Sequence, residues 1–311
     1  MKPALSVIFF TVASGAGLGL AVWALAWQLA GRVDGATRAF WIAVALAAVL
    51  LTLGLLSSTR HLANPRNAWR AFARFRSSWL SREGVLAVAF YPLAAVHLLF
   101  SATGDPRARI TAVATIGLAL AIVACTAMIY ACLRTVPRWR TWHTVAAYLL
   151  YAIATGGLLW AAILASDGRA APSAALLLAP VVAAAVVKLA WDAKFSARVH
   201  ATLNEALAVP EAAPAGRVGG RVRLLDPGHA HATFLTNEFG FVLARERAAA
   251  LRNAMLVLTL VVPLAVVPLA PGPAGGWGAA LALLAGVLLE RWLFFARAEH
   301  VVRLYHGATR V

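Results

Sequence analysis

Charged side chains are scarce in this sequence, and acidic ones are the scarcest. Asp, Glu, Lys and Arg together make up 13% of the 311 residues, whereas 62% are hydrophobic. A soluble domain carries about twice that share of charge. The composition therefore predicts an all-α, polytopic membrane protein, a bundle of helices immersed in lipid. A β-barrel is excluded because the apolar runs are continuous and do not alternate with period two.

Cysteine is nearly absent as well. The two cysteines, Cys125 and Cys132, lie in one apolar run and do not form a C-x-x-C motif. Two thiols cannot supply the ligands of an iron–sulfur cluster or a disulfide framework, so we interpret both as packing residues. His229 and His231 flank one alanine, but no further cysteine or acidic residue completes a metal site with them. No metal site is predicted.

Basic residues, in contrast, are abundant. Lys and Arg number 28 against 12 acidic residues, and they cluster in short segments between the apolar runs. This distribution is typical of membrane topology signals and not of a nucleic-acid-binding surface. We predict one membrane domain over residues 1–311, with eight spans of about 20 residues each. The spans are Ala4 to Ala30, Arg38 to Ser58, Glu83 to Ala102, Ile110 to Leu133, Thr144 to Ser166, Ser173 to Phe195, Ala250 to Ala270 and Trp277 to Phe295.

The basic residues are also unequally distributed over the two sides that eight spans define. Residues 59–82 and 134–140 are rich in arginine and fall on the side of both termini, whereas the opposite loops hold few basic residues. The positive-inside rule then predicts a protein of the bacterial inner membrane with both termini in the cytoplasm. The segment 59–82 and the long polar loop 196–249 would be cytoplasmic too.

The segment 59–82 has a helical pattern of its own, with Asn64 as a cap and Pro65 at the first position. Its aromatic residues fall near helical spacing on one face: Trp69, Phe72, Phe75 and Trp79. Its arginines recur every fourth residue on another: Arg66, Arg70 and Arg74. The pattern predicts an amphipathic helix in the cytoplasmic interface. The arginines either hold anionic lipid or dock a cytoplasmic partner, and the sequence does not separate these roles.

His61 and Glu83 lie at the two ends of this segment, next to the second and third spans. A glutamate there is either a helix N-terminal residue favoured by the dipole and paired with Arg82, or a carboxylate that exchanges protons with a lipid-soluble substrate. The imidazole of His61 could donate to a carbonyl oxygen, although a histidine at a helix end is often only a polar terminus. The residues themselves leave both interpretations open.

Other polar residues within the spans have structural interpretations. Lys188 and Asp192 are one helical turn apart and are expected to pair, and Glu290 and Arg291 are expected to do likewise near the end of the last span. The small residues from Ser14 to Gly19 predict close packing between helices, the alternative being contact with a ligand.

Six short blocks stand out as a set. They are K-P-A-L-S-V-I-F-F-T and S-G-A-G near the N-terminus, R-H-L-A-N-P-R-N-A-W-R-A-F and S-S-W-L-S-R-E-G within residues 60–84, and R-L-L-D-P-G-H and T-N-E-F-G-F within residues 223–241. Together they resemble the membrane anchor subunit of the DMSO reductase family over most of the chain. The resemblance implies an eight-helix subunit without its own redox cofactor, and so without haem. Such a subunit binds a quinone, menaquinone or ubiquinone, and attaches a molybdopterin catalytic subunit and a four-cluster iron–sulfur subunit.

The resemblance also implies where the quinone binds. The family's site is associated with a histidine and a glutamate in these blocks, which fall here on His61 and Glu83, with Arg82 and Trp79 beside the glutamate. Arg66, Arg70 and Arg74 would then face the iron–sulfur partner. Because the predicted topology puts this surface in the cytoplasm, the chain resembles the branch of sulfite-oxidising, quinone-linked complexes, and DMSO-type reduction is the alternative.

A haem-bearing anchor and a secondary transporter are the two alternative functions. A b-type haem needs two histidines at matching depth, and His61 with His143 fit this only loosely. A secondary transporter needs broken helices at corresponding positions of two halves. The prolines that could break helices do not fall at corresponding positions: Pro92, Pro180, Pro263 and Pro268.

Overall fold

The structure is a computed structural model that describes residues 4–59, 65–196, 202–212, 219–226 and 247–306. Within these residues there is no β-strand, and eight helices are long and apolar enough to span a membrane. They are α1 (Leu5–Leu29), α2 (Arg38–Thr59), α3 (Trp79–Thr103), α4 (Ala108–Ala131), α5 (Trp142–Ser166), α6 (Ala174–Ser196), α8 (Ala248–Leu269) and α9 (Pro273–Ala296). α7 (Leu203–Ala206) is a single turn. The predicted all-α bundle of eight spans is confirmed.

The third span begins earlier than predicted. α3 starts at Trp79, because the Ser78 hydroxyl accepts a hydrogen bond from the Ser81 N–H and caps the first turn. At its other end, Gly104 adopts φ +68°, the left-handed conformation that ends helices. Glu83 is therefore not the first residue of the span. It lies about 6 Å along the helix axis from Trp79, at 1.5 Å per residue.

α1 and α5 form the centre of the bundle, and their backbones touch. A Cβ atom on Gly19 would lie 1.8 Å from the carbonyl oxygen of Ala152, and one on Gly156 would lie 2.1 Å from the carbonyl carbon of Gly19. On its other side α1 packs against α2, where a Cβ on Gly17 would lie 2.7 Å from the Ala47 oxygen. Only glycine permits such contacts. The packing interpretation of Ser14 to Gly19 is confirmed.

Two hydrogen bonds, one between helices and one from a loop to a helix, connect segments at one end of the bundle. Ser57 at the end of α2 donates to the carbonyl of Ser6 at the start of α1, over 3.0 Å. In the loop that follows α4, the Trp139 indole donates to the carbonyl of Phe294 near the end of α9, over 3.1 Å. We call this the basic end, since residues 65–82 and 134–140 lie there, and the opposite one the far end.

Residues Pro65–Arg74 form a helix, η1, that differs from the predicted one. It is a 3₁₀ helix with Pro65 as its first residue, and not an α-helix. Side chains three apart eclipse in a 3₁₀ helix, so the spacing of Trp69 and Phe72 aligns them on one side. A step of four residues turns by about 120°. Arg70 and Arg74 are both exposed, but this turn places them on different sides of η1. The prediction of a single arginine face is therefore wrong.

The predicted loop 196–249 is described only in part. Asn204 of α7 ties two stretches of it together, since its amide donates to the carbonyls of Val209 and Gly220 and its oxygen accepts from the Val222 N–H. His229 and His231 lie outside the described residues.

Candidate functional site

Glu83 is buried between α3 and α4 near the basic end, with only 3% of its surface exposed. Its carboxyl group contacts the hydroxyl of Thr126 on α4. Among the described residues no lysine or arginine forms an ion pair with it. An acidic side chain held in this way by a neutral hydroxyl is unusual, because buried charges are normally paired.

Thr126 has one hydroxyl hydrogen and two acceptors within reach. Its oxygen lies 3.0 Å from the carbonyl of Ile122, one turn earlier in α4, and also contacts Glu83. Donation to Glu83 satisfies an ionised carboxylate. Donation to Ile122 leaves the hydroxyl oxygen free to accept from a protonated carboxyl group. Rotation of one hydroxyl thus accommodates both protonation states of Glu83.

Arg82 does not pair with Glu83, so that expectation is wrong. Its Nε donates to the carbonyl of Phe75 at 3.0 Å and its Nη2 to the carbonyl of Arg76 at 2.7 Å. The guanidinium lies over the ring of Trp79, 4.2 Å from the centroid. The physical reason is that the turn after η1 offers carbonyl oxygens without helical partners, which bind Arg82 and fix the turn before α3.

The surface beside Glu83 is apolar and aromatic. A Cβ atom on Gly84 would lie 3.9 Å from Cε1 of Phe72, so η1 packs over the first turns of α3. Trp69 on η1 is 63% exposed, and Phe72 and Leu80 are exposed as well. An exposed apolar surface next to a buried carboxyl group suits a ligand that is apolar with polar atoms at its edge.

The structure thus brings three predicted site residues together on the first turns of α3: Trp79, Arg82 and Glu83. His61 lies outside the described residues, as does the side chain of Arg66. Thr126 is the residue that sequence reasoning missed. It is separated from Glu83 by 43 positions. One threonine in an apolar helix is ordinary, so nothing in the sequence singled it out.

A second cluster of polar side chains lies inside the bundle, and its members are charged. Glu290 of α9 accepts from Lys188 Nζ at 3.0 Å and lies 3.1 Å from Nε of its neighbour Arg291, and all three side chains are at most 4% exposed. The expected pairing of Glu290 with Arg291 is confirmed.

Lys188 does not pair with Asp192 as expected. Asp192 binds Arg252 of α8 and Arg297 after α9 instead, each at 2.8 Å. The reason lies in the position of α9, which like α6 packs against α5. It offers the buried Lys188 a carboxylate at its own depth, while Asp192, one turn nearer the end of α6, meets arginines at the bundle surface.

Histidines mark both ends of the bundle. His97 is buried towards the far end, where its Nε2 lies 2.9 Å from the Gln28 oxygen and its Nδ1 3.1 Å from the Thr111 hydroxyl. His143 is buried at the start of α5, at the basic end, with its ring stacked on Trp142. Among the described residues no three His, Cys, Asp or Glu side chains form a group that could hold a metal ion.

Comparison with known proteins places this chain in a family. The family model of the DMSO reductase anchor subunit (DmsC) matches residues 1–296. The chain is 32% identical to a sulfite dehydrogenase subunit of Allochromatium vinosum, over 98% of this chain and 99% of that protein. No solved structure matches the chain. A family match over nearly the whole chain and a relative of equal extent agree with the eight apolar helices: the chain belongs to the DMSO reductase anchor subunit family.

Proposed function

We propose that this membrane anchor subunit binds a quinone beside Glu83 and exchanges electrons between that quinone and an iron–sulfur partner docked at the basic end. The observation that carries the proposal is the buried Glu83 carboxyl group, held by Thr126 and by no ion pair among the described residues, next to an exposed aromatic surface. A quinone has an apolar ring with carbonyl oxygens at its edge. These residues therefore fit such a group.

The quinone supplies the two-electron chemistry when it is bound, and the chain's own residues manage binding and protons. Trp79 and the exposed aromatic side chains of η1 offer an apolar surface for the ring. Glu83 would hold a proton at its carboxyl oxygen and exchange it with a quinone oxygen. The Thr126 hydroxyl would rotate so that it forms a hydrogen bond with either the ionised or the protonated carboxyl group. His61 lies outside the described residues, and the family resemblance alone supports it as a second polar contact of the quinone.

Electrons reach the site from a partner. The chain has two cysteines, too few for a cluster. Its family supports a four-cluster iron–sulfur subunit and a molybdopterin catalytic subunit as the partners that would complete the complex. We place the basic end in the cytoplasm of a bacterium, at the inner membrane, because of its arginines. The name of the Allochromatium relative supports sulfite as the substrate that the catalytic partner oxidises there.

Substitution of Glu83 tests the proton role. In the assembled complex, Glu83→Gln should lower the rate of quinone turnover about a hundredfold or more, because an amide cannot donate and regain a proton. Affinity for a fluorescent quinol analogue should change little, since glutamine has nearly the same shape. Both are measured on membranes that contain the complex.

Asp105→Asn provides the matched control, an acid-to-amide change at the far end in a pair that is partly exposed. Normal turnover is expected there. An assembled Glu83→Gln complex with normal quinone turnover would overturn the proposed function.

Charge reversal tests the docking surface. Arg70→Glu combined with Arg74→Glu should reduce the amount of iron–sulfur subunit recovered with a tagged anchor by about tenfold, since a like charge at an interface costs several kcal/mol. Both arginines are exposed, so the anchor itself should remain as stable as before. Recovery is measured by quantitative immunoblotting at low and at high salt. Arg169→Glu at the far end, 45% exposed, is the control. Equal recovery of the partner with both variants would show that η1 is not the docking surface.

A further inference from the structure

A small cavity lies inside the bundle between α1, α4, α5 and α9. Its volume is about 20 Å³, and polar and apolar residues line it in nearly equal number. The polar ones include Ser14, Thr126, Tyr148, Tyr151, Thr155 and Arg291. A space of this size holds one water molecule, and a buried water needs two to four polar partners. Such partners are present on four sides here.

One side of the cavity leads to the proposed quinone site. Thr126 lines it and is also the residue whose hydroxyl contacts the carboxyl group of Glu83. The hydroxyls of Tyr148 and Tyr151 are buried and make no hydrogen bond of ordinary geometry with other described residues, although Arg291 stands beside Tyr148 and Thr259 beside Tyr151. A water in the cavity would satisfy them.

The other side leads to the ionic group. Arg291 lines the cavity, with its guanidinium 3.6 Å from the centroid of the Tyr148 ring, and it pairs with Glu290. Glu290 in turn binds Lys188 at 3.0 Å. These side chains are almost entirely buried, so the polar chain does not end at the lipid-facing surface.

The series of polar groups approaches water beyond Lys188. Asp192 follows Lys188 by one turn of α6 and binds Arg252 and Arg297. The side chains of these two arginines are 38% and 19% exposed at the basic end. Polar groups therefore extend from a buried carboxyl group, through a water-sized space and an ion cluster, towards the protein surface. The step from Lys188 to Asp192 spans one turn of α6 without a direct contact between the two side chains.

We propose that protons move between Glu83 and the aqueous surface at the basic end along this series of polar groups. The path runs from Glu83 through Thr126, the cavity, Glu290 and Lys188 to Asp192. The proposal rests on the proposed function, in which Glu83 exchanges protons with quinone. Each quinol formed takes two electrons from the partner and two protons. Each proton that Glu83 delivers is replaced by one that enters near Asp192, and quinol oxidation reverses the direction.

The physical reason for an internal path is the position of Glu83. It is 3% exposed, with its carboxyl group turned to Thr126 of α4, and a quinone seated on the aromatic surface would cover what remains. Protons must then arrive from the interior of the bundle. Glu290 and Lys188 can bind and release protons, and the hydroxyls and the cavity water can pass them on. Arg291 stays charged, so its role is to hold Glu290 and the cavity water in place.

Gly15→Ala tests the path without changing any charge. Gly15 and Ala152 both line the cavity, and a Cβ atom on Gly15 would meet only the Ala152 Cβ, at 3.8 Å, which is an ordinary contact. The added methyl group would occupy the space of one water. Gly117→Ala on α4 is the matched control, since its Cβ would meet no atom within 4 Å.

The readout is proton uptake, which is separate from steady-state activity. The catalytic partner is given its substrate in a single turnover of the quinone-loaded complex. A pH-indicator dye follows proton uptake from the solution, and the infrared carboxyl band of Glu83 follows the protonation of that residue. Gly15→Ala should slow uptake and the return of the protonated carboxyl band about tenfold, because the water link is removed. Binding of the fluorescent quinol analogue should be unchanged.

A second variant, Tyr151→Phe, removes only a hydroxyl that makes no ordinary hydrogen bond with the described part of the chain. It should therefore fold, and it should also slow proton uptake. Parent-like uptake in both variants would overturn the path. If Glu83→Gln is impaired in the same experiment, the proposed quinone site stands and only the route is wrong. If Glu83→Gln also behaves like the parent, the proposed function itself fails.

Discussion

Replacing Glu290 with leucine is expected to lower the free energy of unfolding of the anchor subunit by about 3–5 kcal/mol, the usual cost of leaving a buried charge without its partner. The Glu290 carboxylate lies between two buried cations, with Lys188 at 3.0 Å and Arg291 at 3.1 Å. Leucine fills a similar space but leaves both cations uncompensated in the interior.

The comparison with Lys188→Met makes this prediction specific. That change removes one cation and leaves Glu290 with Arg291, so it should cost less than Glu290→Leu. Arg169→Leu, in a pair whose arginine is 45% exposed, should cost at most about 1 kcal/mol. Unfolding of the purified subunit in detergent, followed by circular dichroism against added denaturing detergent, gives all three values. Equal costs for the buried and the exposed pair would contradict the burial of this cluster.

Gly19→Ala is expected to have the second large effect, a loss of about 1–3 kcal/mol or more from overpacking. A Cβ atom at this position would lie 1.8 Å from the carbonyl oxygen of Ala152, which is backbone and cannot rotate away. α1 and α5 would have to move apart along their line of contact, and both helices also line the cavity between α4 and α9.

Gly117→Ala separates this effect from the general preference of helices for alanine. The same substitution at Gly117 meets open space, so it should be neutral or stabilising by up to about 1 kcal/mol. Both variants are compared in the same detergent unfolding experiment. A Gly19→Ala variant as stable as Gly117→Ala would mean that α1 and α5 are not packed backbone to backbone.

The fold could be predicted from the sequence because the bilayer imposes it. Length and apolarity of a span are local properties, and they locate a helix such as Ala174–Ser196 without any knowledge of its neighbours. The predicted start of α3, Glu83, lies four residues after the observed start, Trp79. The reason is that Ser78 caps a first turn that contains Ser81 and Arg82, and such polar residues are not typical of a membrane span.

The candidate site was predictable only in part. Glu83 stood out because an ionisable residue within a span is rare. Thr126 did not, since its importance comes from the packing of α4 against α3, which no pattern within α4 records. The pairing of Lys188 failed for the same reason: spacing along one helix suggested Asp192, whereas contact between helices selected Glu290. In η1 the spacing of aromatic residues suited both helix types, and the 3₁₀ geometry separated the arginines.

The position of these polar elements at one end has an energetic consequence for the cell. η1, Glu83 and the outlet at Asp192 all lie at the basic end, so electrons and protons would meet the quinone from the same side of the membrane. A charge that crosses the membrane stores about 2.3 kcal/mol per 100 mV of potential, and turnover at this site would move none across. The reaction would be electroneutral. The quinol it produces would carry reducing power to other respiratory enzymes without generating a membrane potential itself.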